Sequence, residues 1–209
     1  MSYQDFKEAM KTAPQCEDYE RGKGISSWNM HKAEKLLGIR FSKQCREFYK
    51  KYNYMAFCGY ELDGINPNSS FPIAGNAVAT ALDYRKKWGL PEKWMPICFL
   101  DDGYYACLDY SHLNAAGEPR VIETVYADGT YQISSVMAED LGEFLQILVD
   151  EALADQVFAQ QNGMLEIPKD SPLHQMDKKL KSIDDELAEV DRLLAELRKL
   201  QAENTSNNK

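Results

Sequence analysis

Apolar residues fall at helical spacing in the first quarter of the chain, crowd together through its middle, and return to helical spacing from residue 138 onward. YQDFKEAMK predicts a short opening helix, after which CEDYERGKG loses the pattern. Ser26 or Ser27 can cap the next helix, which places Trp28, Met30, Ala33, Leu36 and Leu37 on one face and ends at Gly38. Ser42 caps another, with Cys45, Phe48, Tyr49 and Tyr52 inward and Asn53 closing it. AFCGYELDGI then reads as a strand with Gly59 a candidate bulge. Asn76 can cap AVATALDYRKKW, which Gly89 and Pro91 terminate.

Two hairpins follow. PICFL and YYACLDY flank Asp101, Asp102 and Gly103, and each arm is so apolar that both of its faces should be covered. RVIETVY and TYQIS flank Ala127, Asp128 and Gly129. In the amphipathic helix AEDLGEFLQILVDEALADQVF, Leu141, Phe144, Leu145, Leu148, Val149 and Leu153 should face inward. Past residue 172, Leu180, Ile183, Leu187, Val190, Leu194 and Leu197 repeat at alternating spacings of three and four, a heptad seam suited to a partner helix or to a homodimer. The organisation expected is an N-terminal segment 1–24, a main domain 25–160, a linker 161–172, the heptad helix 173–201 and a disordered tail 202–209.

Composition narrows the function. The 209 residues are 44% hydrophobic and 11% aromatic, enough for a packed core. The five cysteines form no CxxC pair and no zinc spacing, so reduced, buried thiols are expected. With neither a secretory signal nor an apolar run long enough to span a bilayer, the chain is expected in the cytoplasm, away from membranes. Of the net charge of −9, residues 1–168 carry −8, which disfavours direct nucleic-acid binding and favours a basic partner.

Catalytic chemistry finds little support. Ser111 and His112 are neighbours, but no nucleophile elbow GxSxG accompanies them. Asp101 and Asp102 sit together in one turn, without the alternate oxygen ligands of a calcium loop or the separation of a hydrolytic pair. Neither GxxxxGK[ST] nor GxGxxG occurs. No enzyme activity, cofactor or metal is expected, and DDG reads as a hairpin turn with charge at its edge.

The run AEKLLGIRFSKQCREFYKKYN, followed in order by GYELDGI, WMPICFLDDGYYACLDYS, PRVIET and AEDLGEFLQILVDEAL, resembles the SUKH superfamily of Smi/Knr-type proteins over about residues 25–155. Two departures stand out: Ser42 replaces a usual proline, and Gly103, Tyr104 and Tyr105 replace Gly-Asp-rich text. The resemblance implies an α+β domain with a central, mostly antiparallel sheet flanked by helices, here extended by the heptad helix. It implies an immunity protein (antitoxin) that binds a cognate bacterial polymorphic or contact-dependent toxin, often a nuclease. Fungal relatives act as regulatory interaction hubs, which leaves a scaffold working through the C-terminal helix as the alternative. The candidate partner contacts are Glu61, Asp63, Asp101, Asp102, Tyr104, Tyr105 and Asp109, acids for steering and aromatics for anchoring.

Overall fold

Glycine and aspartate in left-handed turns order the sheet. A computed structural model of the chain describes residues 2–69, 75–101 and 103–161. The chain divides into two units, residues 1–157 and 158–209, and of the second only 158–161 are described, as the end of a helix. The linker from residue 162, the heptad positions Leu180, Ile183, Leu187, Val190, Leu194 and Leu197, and the tail lie outside the described residues.

The elements run α1 (Ser2–Thr12), a 3-10 turn (Ala13–Gln15), β1 (Glu20–Arg21), α2 (Ser27–Leu37), α3 (Lys43–Lys51), β2 (Met55–Phe57) and β3 (Tyr60–Leu62). Then come α4 (Ala77–Trp88), β4 (Trp94–Asp101), β5 (Tyr104–Leu113), β6 (Pro119–Ala127), β7 (Thr130–Ala138) and α5 (Leu141–Gln161). The strands lie in chain order in one sheet, each antiparallel to its neighbour. This is the α+β architecture with an antiparallel sheet that the sequence led us to expect.

Asp128 (φ 53°) and Gly129 (φ 80°) make the two-residue turn that pairs Ala127 with Thr130. Their left-handed conformations match the twist of the flanking strands. The expected single strand AFCGYELDGI is instead a hairpin. Cys58 (φ 46°) and Gly59 (φ 82°) are both left-handed, so the chain reverses and Phe57 pairs with Tyr60. A bulge needs one such residue; two in succession make a turn.

Helices lie on both faces of the sheet. Side chains alternate along β3. The Tyr60 hydroxyl donates to Glu151 of α5 at 3.3 Å, while Glu61 lines a cleft with Thr80 and Tyr84 of α4. Phe6 of α1, Phe57 of β2 and Phe144 of α5 are among the largest fully buried side chains, each worth roughly 2–3 kcal/mol of burial. The N-terminal helix thus shares the core of the rest, through Phe6, Ala9 and Met10.

Helix ends are held by both local and distant groups. Ser26 Oγ accepts from Asn29 N at 3.2 Å, and Gly38 closes α2 with φ 65°. Ser42 occupies the N-cap of α3 without a side-chain cap bond; the buried Glu118, from the β5–β6 connection, accepts from Gln44 N at 3.2 Å instead. Gln44 in turn accepts from Gly142 N of α5 at 2.6 Å, where Asp140 also accepts from Gly142 and Glu143. Asn76 ties the preceding loop to itself, accepting from Asn66 N at 3.1 Å, rather than capping α4.

One helix face differs from the expected one. The buried stripe of α2 is Met30, Ala33, Glu34 and Leu37, whereas Trp28 is 77% exposed and Leu36 stands beside it in solvent. Glu34 takes the stripe position because it accepts from Phe41 N at 2.8 Å and from Arg46, fixing the turn into α3. A count of apolar residues alone could not see this.

Candidate functional site

Strands β3, β4 and β5 and helix α4 enclose a cleft of about 430 Å³, lined by Gly59, Glu61, Asp63, Thr80, Tyr84, Phe99 and Tyr105. The register explains the gathering. Leu62 pairs with Cys98, both buried, so the alternating residues Glu61 and Phe99 project to the cleft side. Phe99 pairs with Tyr105 in β4–β5, and Thr80 and Tyr84 sit one turn apart on α4. Phe99 is 51% exposed, so the expectation that both arms of this hairpin are covered on both faces fails there.

The walls are aromatic and stand at steep angles. Tyr105 meets Phe99 with centroids 5.1 Å apart at 61° and Tyr84 at 5.5 Å and 88°. The Tyr84 hydroxyl donates to the Tyr105 hydroxyl at 3.2 Å. From Tyr84 the ring contacts continue to Trp88, Tyr131 and Tyr126 along the surface.

Asp63 Oδ1 accepts from Gly75 N at 3.0 Å, and among the described residues neither Glu61 nor Asp63 forms an ion pair. Burial pushes the Asp63 carboxyl up to about 6, opposed by the Gly75 N–H and reinforced by the charge of Glu61. Burial also raises the Tyr105 phenol. Concave, aromatic and negatively charged, this is binding geometry.

Residues 7–150, well over half the chain, match the SUKH_5 family, described as SMI1-KNR4 cell-wall. The chain belongs to the SUKH superfamily. No curated protein sequence matches it.

Within this SUKH domain the seven candidate contacts separate into groups. Glu61, Asp63 and Tyr105 meet in the cleft. Asp101 and Tyr104 pair at the tip of the β4–β5 hairpin, just beyond the Phe99–Tyr105 pair, and Asp102 lies outside the described residues. Asp109 lies near the middle of β5, at the far end of its pairing with β4, fully buried and paired in register with Trp94 and Arg120. The reading of the sequence missed Thr80, Tyr84 and Phe99. A polar and an aromatic residue four apart in the apolar run of α4 were the available signal for the first two.

Asp109 anchors a polar cluster. Arg120 Nε donates to its Oδ2 at 2.9 Å, and both the Ser111 hydroxyl and Ser111 N (3.0 Å) donate to Oδ1. Burial raises the Asp109 carboxyl, but the bonds from Ser111 and Arg120 outweigh it and hold the group below the ordinary aspartate range. His112 Nδ1 lies 3.0 Å from Ser111 Oγ, 3.1 Å from Asp109 Oδ2 and 3.2 Å from Arg120 Nη2. A catalytic relay uses one ring nitrogen for the acid and the other for the hydroxyl. Here both approach the same nitrogen, and the Ser111 proton points to the carboxylate, so this cluster is a structural clasp.

The cysteines are all free; Cys16, Cys45, Cys98 and Cys107 are buried and Cys58 is half-buried. Burial pushes Cys16 up to about 11 and Cys45, Cys98 and Cys107 up to about 12, which suppresses thiolate reactivity. Among the described residues no three His, Cys, Asp or Glu side chains gather to hold a metal ion. No described helix is long and apolar enough to cross a membrane.

Proposed function

We propose that this SUKH protein is an immunity protein, acting in the cytoplasm by binding and neutralising a cognate protein toxin, with a nuclease as the favoured class of target. The observation that carries this reading is the cleft, where two carboxylates with no ion-pair partner among the described residues are framed by Tyr84, Phe99 and Tyr105. Rigid aromatics supply contact area at little entropic cost, and unpaired acids steer a basic surface into place. Glu61, Asp63 and Tyr105 form the centre of the contact, with Tyr104 and Asp101 extending it along the hairpin tip; Asp102, outside the described residues, is kept as a further contact. Asp109 supports that hairpin from its far end. Family membership supports the same reading, because SUKH proteins are generally immunity proteins rather than enzymes.

Co-expression with the toxin encoded beside the gene tests the proposal. Cells carrying this chain survive toxin induction, and the purified pair elutes as one complex. Survival unchanged by the chain would refute it.

A further inference from the structure

We propose that the cleft between α4 and β5 receives a single arginine side chain of the partner, its guanidinium set on the Asp63 and Glu61 carboxylates, its plane on one of the Tyr84 and Tyr105 rings and its edge toward the other. This rests on the reading of the chain as a toxin-binding immunity protein, and it names the chemistry of the central contact.

Three independent features converge on a planar cation. The cleft holds negative charge that no group among the described residues balances, at two side chains projecting from one short stretch of β3 and its end. Its walls are π faces, to which cations are attracted within about 6 Å of the ring centroid. Those walls meet at 88° between Tyr84 and Tyr105, a corner in which a flat group can lie on one ring while the other closes its edge. Guanidinium fits better than ammonium. It stacks, it is weakly hydrated and so costs less to bring into a half-buried site, and its fork can engage carboxylates with more than one N–H.

The surroundings of Asp63 also predict how binding depends on pH. Among the described residues the titratable groups that sense it include Glu61 beside it on the chain, Tyr49 of α3, Tyr54, Cys98 of β4 and Tyr105 of β5, and none of these is a cation. An incoming positive charge would stabilise the ionised carboxylate, so affinity falls as pH drops through about 6.

The test uses the full chain and N-acetyl-arginine-methylamide as probe, followed by amide and side-chain NMR shifts. Saturable shifts are expected at Glu61, Asp63, Tyr84, Phe99 and Tyr105, weaker binding of the lysine amide, and none of the uncharged citrulline amide. Asp63→Asn keeps the oxygen that accepts from Gly75 but removes the charge, and should weaken the arginine amide at least about tenfold with an unchanged amide spectrum elsewhere. Absence of saturable shifts would overturn the inference, as would equal binding of the citrulline or lysine amide, or an unaffected Asp63→Asn protein. The two proposals fail separately. A chain that protects cells but ignores the arginine amide loses only the cleft assignment, and one that binds the amide without protecting loses only the immunity reading.

Discussion

Asp63 and Asp109 are the same residue type in the same sheet, and the protein treats them in opposite ways. Asp109 has no exposed surface, yet its carboxyl is held low because Ser111 and Arg120 donate to it. Asp63 keeps some exposed surface but among the described residues receives only the Gly75 N–H, so desolvation and Glu61 push it up to about 6. Covering a carboxylate's own surface therefore does not by itself decide how it behaves; donors that together outweigh desolvation can hold it low. One acid is spent on structure, and the other is left able to gain from a partner.

The sharpest way to break the contrast is to strip Asp109 of its cation. Arg120→Met leaves a buried charge with Ser111 and His112 alone and should cost about 3 kcal/mol in urea unfolding. Replacing both members, Asp109→Leu with Arg120→Met, should cost less than that single change, because no buried charge is left behind.

Asp63→Asn should do the reverse. A carboxyl raised above its unfolded value binds protons more tightly in the fold, so its ionisation destabilises the folded state above pH 6 and that penalty fades toward pH 4. Unfolding at pH 7 should show the variant more stable by about 1–2 kcal/mol, with the advantage gone near pH 4. For Asp109, the depressed carboxyl contributes stability that is complete above its unfolded value near 3.9 and is lost only in stronger acid.

The smallest effect is expected at the cleft wall. Tyr84→Phe removes the bond to the Tyr105 hydroxyl but keeps every ring contact, so the loss should stay below about 1 kcal/mol by the same measurement.

Much of the scaffold was legible because its signals are local. Asp128–Gly129 announced a turn, Gly38 and Gly89 announced helix ends, and the apolar period of α5 picked out its buried face. What escaped depended on partners distant in sequence. The stripe of α2 holds Glu34 because Arg46 waits across the turn, and α3 is capped by Glu118 from 74 positions away. Cys58–Gly59 hid a reversal because cysteine rarely announces a left-handed residue. The cleft was half visible for the same reason: Glu61, Asp63 and Tyr105 stood out as acids and aromatics, but only the pairing of β3 with β4 and the packing of α4 over them bring them to Phe99 and Tyr84.

The chain-order sheet has a kinetic corollary. Each strand finds its neighbour next along the polypeptide, so the β4–β7 meander can assemble by successive short loop closures, the cheap kind in entropy. The bond from Gly142 to Gln44 must bridge 98 positions, so docking of α5 beside α3 belongs among the late events of folding.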